Sequence, residues 1–167
     1  MKRPHSRRIS PDYIHSGFFG VEDSLVSTTG ALAGIAVGAG STEVILLTAL
    51  VIIAVESTSM AASEFVSEET EEDIEKLKNP ASPLVSGLII FITYVLAGLI
   101  PLAPYLFLPH LAAIPVSIGL ALLGLIILGV YKGKITHKSP VRSAIEVFII
   151  GGIAAGIGLV VGLIFKV

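Results

Sequence analysis

The chain has 167 residues, of which 53% are hydrophobic and only 14% charged, whereas soluble domains carry about 25% charged residues. Its apolar residues come in long runs, so it reads as a one-domain integral membrane protein and not as a soluble domain with a large core. There is no cysteine, which excludes thiolate metal sites and disulfides, and the net charge of −2 says little because the charges are segregated along the chain.

Residues 1–16 read as a basic cytoplasmic tail, with Lys2, Arg3, Arg7 and Arg8 held near anionic lipid. No apolar run ending in a cleavage site follows directly, so no cleaved signal peptide is expected. Residues 17–167 form the membrane domain, with five predicted transmembrane helices over 17–39, 44–66, 84–103, 111–131 and 144–165. Each is about 20 residues long, enough to cross ~30 Å of hydrocarbon at 1.5 Å per residue. The runs are continuously apolar and do not alternate, so the expected fold class is all-α and not a β-barrel. Short outer turns over 40–43 and 104–110 make helices one and two, and three and four, antiparallel neighbours. Pro101, Pro104 and Pro109 punctuate the second turn, and Pro115 is placed to kink the fourth helix. Gly30, Gly34 and Gly38, Gly152 and Gly156, and Gly158 and Gly162 form small-residue faces suited to close helix packing, within the chain or across a dimer. Hydroxyls concentrate on the first two helices, at Ser27, Thr28, Thr29, Ser57, Thr58, Ser59 and Ser63.

The charges set the expected orientation. Lys2, Arg3, Arg7, Arg8, Lys76, Lys78, Lys132, Lys134, Lys138 and Arg142 fall on one side of a five-helix topology, and of the eleven basic residues only Lys166 falls on the other. The positive-inside rule makes the populated side cytoplasmic, with the N-terminus in and the C-terminus opposite.

The second helix carries the chemistry. Glu56, Met60 and Glu64 are spaced by four and so read as one helix face. Counting from the cytoplasmic boundary, Glu64 is ~3 Å, Met60 ~9 Å and Glu56 ~15 Å deep, and Asp23 on the first helix is ~8 Å deep. An ionised side chain at a helix centre costs ~2.5–3.5 kcal/mol on insertion scales, against ~2.4–4.8 kcal/mol returned by the apolar run from Ile45 to Val55. No Lys, Arg or His lies in the core of a predicted helix to pair with Glu56, so it is protonated, hydrated or bound to a cation. Carboxylate and hydroxyl oxygens with a thioether suit Mn²⁺ or Fe²⁺ better than Mg²⁺ or Ca²⁺.

Each residue also has a plainer reading. Met60 is packing, Glu56 a protonated acid bonded to a neighbouring hydroxyl, Glu64 an interfacial solvated acid, and Asp23 an acid favoured by the helix N-terminus. Glu22 and Glu43 read as solvated boundary acids. Four candidates at compatible depths on two adjacent helices favour a metal path through Asp23, Glu56, Met60 and Glu64. The acids Glu68, Glu69, Glu71, Glu72, Asp73 and Glu75 continue the helix into the cytoplasm over a short segment, 67–80. They read as a solvated face or as a metal-collecting funnel at the mouth of the path. His5, His15, His110 and His137 show no metal-site spacing. There is no nucleotide, zincin or nucleophile motif, so no enzyme, no cofactor and no nucleic-acid partner is expected.

At these residues the chain resembles the vacuolar iron transporter family. EDSLVSTTGALAGIAVGA and SMAASEFVSEETEEDIE look like its first two helices, and NPASPLVSGLIIFITYVLAGLIPLAPY and SPVRSAIEVFIIGGIAAG like its third and fifth. The resemblance implies five helices, a homodimer, and proton-coupled movement of Fe²⁺ or Mn²⁺ out of the cytoplasm. It implies metal contacts at Asp23 and Met60 near the dimer interface, and at Glu64 in a GEFVS-like motif. Two departures stand out. The family's Asp-Gly is Asp23-Ser24 here, and its longer acidic cytoplasmic region is reduced to about 67–80. Glu56 has no counterpart in these motifs and rests on depth alone. The expected function is therefore a proton-coupled Fe²⁺/Mn²⁺ exporter or sequestering transporter, in the cell membrane of a prokaryote or a vacuolar-type membrane of a eukaryote. Its partners are divalent metal ions, protons, the lipid bilayer and a second copy. The alternatives are a channel or transporter for another divalent cation, or a non-transporting membrane assembly protein.

Overall fold

In the computed structural model, which describes residues 10–75 and 81–166, the described residues form helices and no strand. These are α1 (Pro11–Gly38), α2 (Thr42–Glu75), α3 (Pro83–Leu102), the short α4 (Pro104–Phe107), α5 (His110–Ile135) and α6 (Pro140–Ile164). Lys2, Arg3, Arg7 and Arg8 of the predicted tail, and Lys76 and Lys78 of the second connection, lie outside the described residues, as does the side chain of Glu75.

The helix starts follow from capping chemistry. Ser10 accepts from the Asp12 backbone N–H, with Pro11 in the first turn, where its missing N–H costs nothing. The first helix thus begins six residues before the span expected at 17, and part of the expected tail is helical. Gly40 takes φ +62 in the turn before α2, a conformation that favours glycine. Ser139 caps α6 through the Arg142 N–H, again with Pro in the first turn. Pro101 is the penultimate residue of α3, whereas α5 continues for twenty residues past Pro115. The Ser117 hydroxyl donates to the Pro101 carbonyl at 2.7 Å, tying the two proline-bearing helices together.

Among the described residues, four helices are long and apolar enough to cross a membrane: α2 over Thr42–Ile74, α3, α5 and α6. At 28 residues, α1 is long enough, at about 42 Å, but too polar to be counted with them. The packing explains why. α1 contacts all four other long helices, most broadly α3 and α6. Its buried positions include Ser16, Ser24, Thr28 and Thr29 beside Leu25, Leu32 and five glycine or alanine residues from Gly30 to Gly38. A helix wrapped by others has no need of a lipid-facing apolar surface.

The neighbours expected from turn lengths, α1 with α2 and α3 with α5, are in contact, but they are not the broadest pairs. α2 packs more broadly on α3 than on its sequence neighbour α1, and α5 more broadly on α6 than on α3. The small-residue faces resolve likewise. A Cβ built on Gly34 would lie 2.6 Å from the Gly158 carbonyl oxygen, and one on Gly30 2.9 Å from that of Ala154. Gly158 and Gly162 abut the backbone of Gly30 and Gly34 in turn. These glycines are the α1–α6 contact inside one chain, whereas Gly152 and Gly156 face open space.

Candidate functional site

α2 meets the rest of the chain along one stripe. Ile45, Ala49, Ile53 and Ser57 are buried, and the stripe continues through the half-buried Met60, Glu64, Glu68 and Glu72. Glu56 is exposed. The expected common face of Glu56, Met60 and Glu64 is therefore loosened: each four-residue step turns the helix about 40° past a full revolution, so Glu56 and Glu64 differ by about 80°. Glu64 turns inward and Glu56 faces the surface of the single chain.

On α1, Asp23 is half-buried. It borders a cavity of about 290 Å³ shared with His15, Glu22 and Lys132. Lys132 of α5 stands 3.5 Å from the Glu22 carboxylate, so Glu22 is ion-paired and not merely solvated as expected. Asp23 and Glu56 lie within electrostatic reach of one another, and Tyr94 of α3 within reach of both. Tyr94 is fully buried. Its hydroxyl shares a hydrogen bond with Ser27 at 2.7 Å, and its carbonyl accepts from Ser24 at 2.7 Å. Ser27 is one turn beyond Asp23 on α1, on the same side. Thr28 and Thr29 add buried hydroxyls without a partner, although Thr48, Thr58, Thr70, Thr93 and Thr136 all donate to a carbonyl four residues back.

At the Lys132 end of α1 a second cavity, of about 180 Å³, is lined by Asp12, His15, Glu64, Glu68, Glu71 and Glu72, among others. The Ser16 hydroxyl donates to Glu64 Oε1 at 2.7 Å. Glu68 is within reach of Glu64, Asp12 and Glu72, and its Oε2 and the nearby Ser86 hydroxyl are buried without partners. Glu69, Glu71 and Asp73 are exposed. Among the described residues no three His, Asp or Glu side chains converge closely enough to hold a metal ion. The four candidates are strung along α1 and α2 and do not form a closed cage within one chain.

In α4, burial pushes the Tyr105 phenol up to about 12, and its hydroxyl has no hydrogen-bond partner among the described residues.

Asp12, His15, Ser16, Tyr94 and Lys132 were not anticipated at the site. The signal for the first three was present: Ser10-Pro11-Asp12 is a helix start, and it carries α1 back alongside Glu64 and Glu68 of α2. Tyr94 and Lys132 come from helices whose sequences give no sign of proximity.

A VIT family model matches residues 14–81 and 75–163. Vacuolar iron transporter 1 of Arabidopsis thaliana is 44% identical over 78 residues, 46% of this chain and 31% of the relative. Vacuolar iron transporter 1 of Tulipa gesneriana is 42% identical over 77 residues, with the same shares. Vacuolar iron transporter homolog 4 of Arabidopsis thaliana is 26% identical over 153 residues, 84% of this chain and 77% of the relative. The matched part of the chain thus spans 31% of the length of the first two relatives. The resemblance read from the motifs is borne out: with the family model matching between residues 14 and 163, the chain belongs to the VIT family.

Proposed function

We propose that this chain is one subunit of a homodimeric, multi-pass membrane transporter that moves Fe²⁺ or Mn²⁺ out of the cytoplasm in exchange for protons. Family membership and the names of the relatives support iron as cargo. The observation that carries the reading is that Asp23 on α1 and Glu56 on α2 lie within electrostatic reach of one another, in helices where charge is costly. Two carboxylates in a low-dielectric setting repel unless a cation or a proton neutralises them. Exchange of one for the other is the chemistry such a pair performs.

In this reading α1 is the fifth span, sheltered by its neighbours, with the N-terminus cytoplasmic and the C-terminus opposite. Lys132, Lys134, Lys138 and Arg142 then share the cytoplasmic side with the acidic end of α2. Glu68, Glu69, Glu71, Glu72 and Asp73 concentrate cations at the mouth. Glu64 takes the ion first, Met60 adds a soft ligand below it, and Asp23 and Glu56 hold it at depth. The exposure of Glu56, Ser59 and Ser63 on α2 supports the dimer, since a second copy would cover polar groups that lipid does not accommodate. The membrane is the cell membrane in a prokaryote or a vacuolar-type membrane in a eukaryote.

Metal uptake into proteoliposomes, with and without a pH gradient, tests the proposal. Fe²⁺ or Mn²⁺ flux that responds to the gradient is expected; no flux under any gradient sinks it, and flux indifferent to pH leaves a channel. Asp23→Ala and Met60→Ala should each abolish or strongly impair flux, and normal transport by both would remove them from the path. Glu56→Gln should impair proton coupling more than metal binding.

A further inference from the structure

Ser16 makes the contact on which the cytoplasmic end of the path depends. It is fully buried and lies seven residues, or two helical turns, before Asp23, on the same side of α1. Its hydroxyl is 2.7 Å from Glu64 Oε1 and 2.8 Å from the Asp12 carbonyl oxygen. A serine has one proton to donate, so these two acceptors share it. Among the described residues this is the one side-chain hydrogen bond joining α1 to α2. It therefore links the two helices that carry all four proposed ligands.

The bond matters for how Glu64 meets a cation. Glu64 and Asp12 both line the acidic cavity at the mouth. Held at Oε1, Glu64 keeps a fixed carboxylate and leaves Oε2 for the ion. Ligating carboxylates elsewhere are oriented by such hydrogen-bond partners, whose loss weakens metal binding about 10- to 100-fold.

The geometry points to Ser16 as a positioning residue: its hydroxyl fixes Glu64 at the cytoplasmic mouth and so sets the affinity with which the divalent cation is taken up. This deepens the transport reading and rests on it in treating Glu64 as a ligand. The test uses the full chain with Mn²⁺ as probe, in two arms: equilibrium binding to detergent-purified protein, and initial flux into proteoliposomes against Mn²⁺ concentration. Ser16→Ala should raise both the dissociation constant and the KM about tenfold while keeping the maximal flux. In a Glu64→Ala background the same substitution should add nothing to the binding defect, because Ser16 acts only through Glu64. A lowered maximal flux with unchanged KM overturns the proposal, and so does an equal loss of binding with and without Glu64. Wild-type protein that binds Mn²⁺ without moving it defeats the transport reading, while the binding cycle still decides the role of Ser16.

Discussion

The α1–α6 contact gives the sharpest stability prediction. Replacing Gly34 with alanine puts a Cβ 2.6 Å from the Gly158 carbonyl oxygen. That is about 0.8 Å inside ordinary contact, and the obstacle is backbone, so the two helices must part. Separation by 0.5–1 Å forfeits roughly a quarter to a half of each dispersion contact along the seam. The expected steric cost is about 1–3 kcal/mol. Against it stands the helix-propensity gain of alanine over glycine, about 0.8–1 kcal/mol. Gly152→Ala on α6 separates the two terms, because a Cβ there meets nothing within 4 Å and only the propensity gain remains. Reversible unfolding in mixed micelles by dodecyl sulfate, followed by circular dichroism, should therefore find Gly34→Ala less stable than Gly152→Ala by about 1–3 kcal/mol. Equal stability of the two variants would refute the close-packed seam. A larger loss at Gly152 would instead make the outer face of α6 an interface between copies.

Three further outcomes follow from the geometry. Lys132→Gln breaks the pair with Glu22, but the lysine side chain is 43% exposed, so the same unfolding assay should register a loss of only about 0–1 kcal/mol; a larger loss would mean that Lys132 holds more than Glu22. The Tyr105 phenol, raised from 10.0 to about 12, is protonated in the folded protein where an unfolded chain has begun to ionise. Its contribution is intact below pH 10 and is lost as pH rises through about 12. Unfolding should become easier across that window, and Tyr105→Phe should remove the loss; an unchanged alkaline profile in the variant would contradict the assignment. Ser117→Ala removes the donor to the Pro101 carbonyl, and a cost of about 1–3 kcal/mol is expected from leaving a buried acceptor unpaired, with a neutral effect as the refuting result.

The sequence by itself determined the all-helical membrane class, the apolar core of each long helix after the first, and the choice of candidate ligands, though not the helix ends, which run up to nine residues past the expected spans. It could do so because these properties are local. Unbroken apolar runs and acids stranded in apolar helices both act within a few residues of themselves. The first helix was legible as a helix but not in its role. Its polarity looked like weakness as a span, yet it reflects a central position, sheltered by α3, α5 and α6. Residues 10–16 carried a start signal whose consequence, Asp12 and Ser16 brought beside Glu64, depends on α2 passing next to them.

Tertiary structure decided what spacing and turn lengths could not. A four-residue repeat drifts around the helix, so whether Glu56 or Glu64 turns inward depends on which stripe of α2 its neighbours cover. α2 leans mainly on α3, and the inward stripe runs through Met60 and Glu64. The glycine motifs were alike on paper, but only the packing shows that Gly34 faces Gly158 while Gly152 faces outward. Tyr94 and Lys132 reach the region of Asp23 and Glu22 from 71 and 110 residues away in the chain. Contacts of that range are set by how whole helices cross, and no local pattern encodes them.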